Sequence, residues 1–175
     1  MLEAASDTNH ATIAETDIPP HRFRTVLSRF ATGVVAIATL DTDDRPIGFA
    51  INSFTSVSLE PPLVAYCVTH TSRSWPSIRA ARRHCLTILA DTQRSVCKRL
   101  AGKELNKFEG LRWSSSPTGL PILANSLAWL ECSVAAEYPA GDHVIVIARV
   151  HHAASGDAEA PLVFFESGYG TFDAS

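Results

Sequence analysis

The chain is predicted to fold as a mainly β domain with a few helices, its strands forming an antiparallel barrel. Two patterns carry that expectation. At least six apolar or alternating runs of strand length are separated by hairpin-length turns rich in Asp, Gly and Pro, whereas a doubly wound sheet needs strictly alternating strands and helices. The size agrees, since 175 residues with 46% hydrophobic content fill one core. The sequence carries no internal repeat and no sign of a second domain. Residues 18–175 are read as a single domain behind a loose acidic leader over residues 1–17.

The elements follow in order. Pro20 to Phe30 reads as a helix, with Phe23, Val26, Leu27 and Phe30 at i, i+3, i+4 and i+7, Pro20 near the first turn and Gly33 past the end. Val34 to Leu40 is a buried strand, and Asp41-Thr42-Asp43-Asp44 turns the chain into the next strand at Pro46. There Ile47, Phe49 and Ile51 alternate with smaller residues. Asn52, Ser53, Thr55, Ser56 and Ser58 then crowd together before the Pro61-Pro62 stop. Leu63 to Val68 is another apolar strand. Ser74, Trp75 and Pro76 open a helix running to about Arg83, followed by a strand from Cys85 to Ala90. Asp91 is read as the cap of a further helix, with Val96 and Leu100 on one face and Gly102 closing it. Lys103 to Gly119 reads as irregular. Leu127 to Ala135 and Val144 to Val150 form two long strands around a turn from Tyr138 to Asp142, and Leu162 to Phe165 is the last strand.

Composition excludes several classes. The net charge is −3, and no basic cluster exceeds Arg79 to Arg83, so there is no footprint for nucleic acid. The start of the chain lacks a basic, then apolar, signal pattern. Nowhere are there ~18 uninterrupted apolar residues. A cytoplasmic protein without membrane contact is expected. Cys67, Cys85, Cys97 and Cys132 are widely spaced, without a C-x-x-C pair, and three of them lie in apolar strand patterns, which fits buried thiols better than a zinc site or a disulfide framework. His151-His152 are adjacent on a strand and so point to opposite faces. No metal site is expected.

The hydroxyl-rich strand end is the chemically informative stretch. Small side chains let the backbone approach a ligand closely, and backbone N–H groups with nearby hydroxyls supply donors to a flat, polar, anionic molecule. A half-exposed strand with solvated Ser and Thr is the plainer alternative. There is no G-x-G-x-x-G after a strand and no Walker-type loop, and Gly168-Tyr169-Gly170 has no helix to follow. A Rossmann dehydrogenase is therefore disfavoured.

Several blocks occur in a telling order: Phe23 to Leu27, Phe30-Ala31-Thr32-Gly33-Val34, Gly48 to Leu63, Ser72-Arg73-Ser74-Trp75, Lys107-Phe108 and Gly141-Asp142-His143. Together they resemble the short-chain flavin reductases that serve two-component flavin monooxygenases, over about Phe23 to Tyr169. The resemblance implies a split β-barrel of the FMN-binding type, a homodimer, FMN or FAD as flavin and NADH, or NADPH, as reductant. It also implies a monooxygenase partner supplied by diffusing reduced flavin.

By the same resemblance Pro46, Ile47, Gly48, Phe49, Ala50, Asn52 and Ser53 line the flavin, and Cys67, Val68 and Thr69 lie along its ribityl and phosphate. Arg73 and Ser74 at a helix start fit the phosphate, where a cation, a hydroxyl and free N–H groups converge. Arg99 and Leu100 match a position that in relatives reaches the cofactor. Leu100 stands where many relatives carry Phe. His143, beside Asp142, is placed to orient the nicotinamide carboxamide. Ser167, Gly168 and Tyr169 match a segment that approaches the nicotinamide nucleotide, with Tyr169 as a stacking platform. Two other readings share the barrel. One is a non-catalytic flavin- or haem-binding protein. The other, an oxidase of the pyridoxamine phosphate type, would carry a richer cluster of Arg and Lys.

Overall fold

A computed structural model of the chain describes residues 18–104 and 106–172, so the leader expected over residues 1–17 lies outside the described residues. Among the described residues are three α-helices: α1 (Pro20–Leu27), α2 (Trp75–Ala81) and α3 (Arg94–Ala101). The strands are β1 (Thr32–Gly33), β2 (Val35–Leu40), β3 (Pro46–Ile51), β4 (Thr55–Leu59), β5 (Pro62–Thr69), β6 (Arg83–Ile88), β7 (Trp113–Ser115), β8 (Pro121–Leu123), β9 (Ala128–Ala140), β10 (His143–Ser155), β11 (Leu162–Phe165) and β12 (Gly168–Thr171).

Seven strands form one antiparallel sheet in the order β3-β2-β6-β9-β10-β5-β4. Its two edge strands, β3 and β4, are consecutive in the chain and joined only by Asn52, Ser53 and Phe54. Four peptide steps span at most about 14 Å, so the edges must approach each other and the sheet curls into a barrel. No backbone ladder joins β3 to β4. The Ser53 hydroxyl instead ties the β3–β4 link to β5 at the split, accepting the Cys67 N–H at 2.9 Å and donating to the Cys67 carbonyl at 3.1 Å. The barrel is thus antiparallel and split, as expected.

Strand β2 is buried on both faces, which is why it reads as a continuous apolar run. Val35 and Ile37 point into the barrel core with Tyr66, Leu86 and Val146. Val34, Ala36 and Ala38 face outward into a second cluster with Leu89, Cys97, Leu100 and Phe108. The small Ala36 and Ala38 let α3 and Phe108 sit close to the sheet. Gly48 serves the same approach, since a Cβ there would lie 2.2 Å from the Ile37 carbonyl and 3.0 Å from the Phe108 ring.

Several expected boundaries move, each for a local reason. Helix α1 stops at Leu27, where the Ser28 N–H and hydroxyl close on the preceding turn. No residue of α1 is buried, and its stripe of Phe23, Val26 and Leu27, with Phe30 just beyond, stands exposed on the described chain. Helix α2 ends before Arg82, which adopts a left-handed φ of 59°. Asp91 starts a 3-10 turn rather than capping α3; Gln93 does the satisfying work, taking the Ala90 N–H at 2.9 Å and donating to the Ala124 carbonyl at 3.0 Å.

The turn expected over Tyr138 to Asp142 shrinks to Gly141 and Asp142, with Gly141 at φ +61°, so β9 and β10 run on as a long hairpin. The sequence pattern does not mark β1, β4, β7, β8 or β12 as strands. Strand β12 exists because Glu166 and Ser167 both take positive φ and fold the Gly-rich segment back on β11.

The hairpin β7–β8 is tied to the barrel by a buried carboxylate. Glu131, fully buried on β9, meets Arg83 at 2.6 Å and accepts the Ser116 hydroxyl at 2.7 Å. Burial acts to raise its carboxyl pKa, but the Ser116 hydroxyl, Thr118 and the Arg83 guanidinium outweigh burial and hold it below the usual value. His84 is also fully buried, with its Nε2 2.9 Å from the Tyr66 hydroxyl, and burial lowers its pKa to about 4. It is a neutral core residue. Among the described residues no helix is long and apolar enough to cross a membrane.

Candidate active site

A cleft of about 610 Å³ opens at the split in the barrel. One wall is the end of β3 and its link to β4, from Phe49 to Ser53; another is the end of β5, Cys67 to Thr69. The connection Thr71 to Arg73, the last turn of α3 with Gly102, and Lys103, Lys107 and His143 complete it. The place follows from topology, because only at the split is the sheet's edge free of a neighbouring strand.

Three cations, Arg73, Lys103 and Lys107, line this cleft, and among the described residues no carboxylate does. In a chain of net charge −3 that is a local inversion of sign, suited to a ligand with negative charge. The Arg73 guanidinium donates to the Lys103 carbonyl, which holds it across the cleft. Lys107 donates from Nζ to the Leu100 carbonyl at the C-terminal end of α3, at 2.8 Å. Burial, with the Arg73 charge adding to it, lowers the Lys107 pKa. The Thr69 and Thr71 hydroxyls lie 3.0 Å apart, and the Ser72 N–H turns back to the Thr69 carbonyl at 3.0 Å, so this connection is a compact turn with hydroxyls beside Arg73.

His143 begins β10 directly opposite Thr69. Its Nδ1 lies 2.7 Å from the Asp142 carboxylate, so Nδ1–H donates there and Nε2 is left for a ligand. The hydrogen bond from His143 is the main cause of the lowered Asp142 pKa. The imidazole is therefore oriented before any ligand arrives.

A smaller hollow of about 180 Å³ adjoins the cleft across Ala50, Ile51, Asn52 and Ala101. Tyr169 lines it, with Val34, Cys97 and Phe164. The Cys97 thiol donates to the Tyr169 hydroxyl at 3.3 Å, and the Arg94 guanidinium lies 5.7 Å from the ring centroid. Burial first, then the Cys97 contact, pushes the Tyr169 hydroxyl up to about 12. It remains a neutral aromatic surface.

The structure brings together Phe49, Ala50, Asn52, Ser53, Cys67, Val68, Thr69, Arg73, Leu100 and His143. Ser74 reaches the site indirectly, donating from its hydroxyl to the Gly48 carbonyl at 3.3 Å. Others lie elsewhere. Pro46 and Ile47 line a separate hollow with Asp41, Phe108 and Glu109. Gly48 packs under Phe108, and Arg99 is exposed on the outer side of α3. Ser167 lies in the exposed turn and Gly168 opens β12, the strand that carries Tyr169. Lys103 and Lys107 were not singled out from the sequence, although the Lys107-Phe108 pair was visible; its signal is a cation next to a buried aromatic, which fixes where the cation points.

Among the described residues the site pairs no hydroxyl or thiol with a base as an activated nucleophile, and no group of His, Cys, Asp and Glu could hold a metal ion. What it offers is placement of a flat, anionic molecule that carries its own chemistry.

The chain is 44% identical over 162 residues to the flavin-dependent monooxygenase reductase subunit HsaB of Rhodococcus jostii, covering 93% of this chain and 83% of that protein. It is 36% identical over 150 residues to an FMN reductase (NADH), SmoA, of Agrobacterium fabrum, covering 86% of this chain and 84% of the other. Among solved structures, the NADH:FAD oxidoreductase SgcE6 of Streptomyces globisporus, in complex with NAD and FAD fragments, superposes with a TM-score of 0.82 at 29% identity, covering 87% of this chain and 92% of that one. Residues 27–173 match the flavin reductase like domain, and the chain belongs to that family.

Proposed function

We propose that the protein is an NADH-dependent flavin reductase that reduces FMN or FAD and supplies the reduced flavin to a separate flavin-dependent monooxygenase. The observation that carries this reading is the cleft at the barrel split, lined among the described residues by three cations and no carboxylate, with a pre-oriented histidine at its rim and an aromatic hollow beside it. When bound, the flavin supplies the hydride acceptor. The chain's residues hold and orient. Arg73 and the Thr69 to Ser74 turn take the phosphate, and the small Ala50 and Asn52 admit the ring system. His143 presents Nε2 to the nicotinamide carboxamide, and Tyr169 offers a face to the nicotinamide nucleotide. NADH is favoured over NADPH because among the described residues the hollow beside Tyr169 is lined by no cation, and the nearby Arg94 guanidinium lies over the Tyr169 ring.

The protein works as a homodimer in the cytoplasm on this reading. An eight-residue helix with no buried residue cannot hold itself in water, so the exposed stripe of Phe23, Val26, Leu27 and Phe30 is proposed to pack against a second copy. Light scattering of wild type and of the Leu27→Glu, Phe30→Glu double variant tests this; a monomeric wild type refutes it.

Activity has a direct test. Purified protein given NADH and added FMN or FAD should oxidise NADH well above the uncatalysed rate. Absence of turnover with FMN, FAD and riboflavin overturns the reading, and flavin binding without oxidation of NADH or NADPH would mark a carrier instead.

A further inference from the structure

Lysine is scarce in this chain and confined to one place. Of the 15 Lys and Arg residues only Lys98, Lys103 and Lys107 are lysines, and two of these three line the cleft. Their settings differ. Lys98 is exposed in the last turn of α3 and does not line the cleft, whereas Lys103 is exposed at the cleft with its carbonyl taken by Arg73. Lys107 is half-buried, and its Nζ is held 2.8 Å from the carbonyl of Leu100, itself a lining residue, so the amine sits in the cleft wall. Burial and the Arg73 charge both disfavour its ammonium form and lower its pKa, while Glu104 acts the other way and is outweighed. A lysine desolvated beside another cation is the setting in which the nucleophilic free amine becomes populated.

The same cleft offers a phosphate seat, since the Arg73 guanidinium and the Thr69 and Thr71 hydroxyls face it together. A phosphate ester seated there gives an amine nothing to attack. An acyl phosphate differs, because its activated carbonyl carbon is bonded to a phosphate oxygen and so arrives with the anion. We propose that Lys107 is an acylation site, at which a small acyl phosphate seats its phosphate at Arg73 and transfers its acyl group to the Lys107 amine, weakening the hold of the cleft on phosphorylated flavins. The inference rests on the reading above that the cleft holds a flavin by its phosphate. In the step the neutral amine attacks the acyl carbon and an N–C bond forms. The C–O bond to phosphate breaks, inorganic phosphate leaves with that electron pair, and the nitrogen gives a proton to solvent. No oxidant or reductant is needed. The amide is uncharged, so the cleft keeps two of its three cations. Lys98 and Lys103 are references within the same chain, one outside the cleft and one at its exposed rim.

Acetyl phosphate incubated with the full-length protein is the probe, and peptide mass spectrometry reads all three lysines in one sample. Lys107 should acetylate at least about tenfold faster than Lys98. Saturating FMN should slow Lys107 by at least about fivefold and leave Lys98 unchanged. Arg73→Met, shown to be folded by a thermal melt, should bring the Lys107 rate to within about threefold of the Lys98 rate, since both the phosphate seat and the neighbouring charge are gone. Acetylated wild type and Lys107→Gln should each bind FMN about two- to fivefold more weakly, with riboflavin unaffected. Equal rates at the three lysines, faster labelling of Lys103 than of Lys107, or full selectivity in folded Arg73→Met overturn the inference. Labelling of Lys107 that bound FMN does not slow overturns it as well. Failure of FMN to bind overturns the reading of the cleft instead, and the ratio of Lys107 to Lys98 labelling, measured without flavin, still decides the acylation.

Discussion

Replacing Ser53 tests whether the barrel split is both a structural seam and the flavin site. Its hydroxyl makes two hydrogen bonds to the backbone of Cys67, one in each direction. The hydroxyl is therefore committed to the seam, and the side chain contributes to ligand binding through its smallness. Ser53→Ala removes both bonds while preserving the open cleft. Each bond lies at an exposed position, so water replaces part of it and the loss is about 0.5–1 kcal/mol per bond, about 1–2 kcal/mol together. For a domain of this size that corresponds to a melting temperature lower by about 2–8 °C. Flavin affinity should fall only slightly. Ser53→Leu loses the same bonds and adds bulk to the cleft wall, so flavin affinity should fall by at least about tenfold, or about 1.4 kcal/mol. Thermal unfolding and flavin fluorescence titration on both variants separate the two effects. Wild-type stability in Ser53→Ala would refute the seam, and wild-type flavin affinity in a folded Ser53→Leu would remove the ligand from this cleft.

Three further outcomes are expected. His143→Ala should lower the second-order rate of flavin reduction by NADH about three- to tenfold, the worth of one hydrogen bond of about 0.5–1.5 kcal/mol, with flavin affinity unchanged; stopped-flow reduction at wild-type rate would reduce His143 to a turn residue. Lys107→Met should weaken FMN and FAD by about two- to fivefold while sparing riboflavin, because only the phosphorylated flavins offer it a charge; an equal loss for riboflavin would place Lys107 away from the phosphate. Glu131→Gln should cost about 3 kcal/mol, since it breaks a pair whose carboxylate is fully buried, at the low end because Arg83 is 43% exposed. As the folded carboxyl has a lowered pKa, its contribution is fully present above the unfolded value of 4.5 and is lost as pH falls through the folded value. Denaturant unfolding should therefore show the gap between wild type and Glu131→Gln narrowing below pH 4.5, and a gap constant with pH would refute the assignment.

Period and punctuation in the sequence determine the mainly β class, the position of β2, β3, β5 and β6, and the existence of all three helices, because those elements are dictated by local alternation, helical stripes and turn residues. The ordered blocks point to the flavin reductases before any coordinate is known. What local pattern cannot carry is anything made by pairing at a distance. Strand β4 alternates only Val57 and Leu59 with serines, and both apolar side chains are exposed, so it exists because β5 lends it a ladder, and β12 exists because two positive-φ residues return a Gly-rich segment to β11. The apolar face of α1 is plain in the sequence, yet only the fold shows that no described element covers it. The site divides along the same line. Arg73, Ser53 and His143 were legible as residue types in suggestive places. That Ser53 holds the seam through Cys67, that Lys107 closes the cleft from the far side of α3, and that Pro46, Ile47 and Arg99 face away follow from how the sheet curls, and a curl of seven strands is decided by register and packing among residues many positions apart.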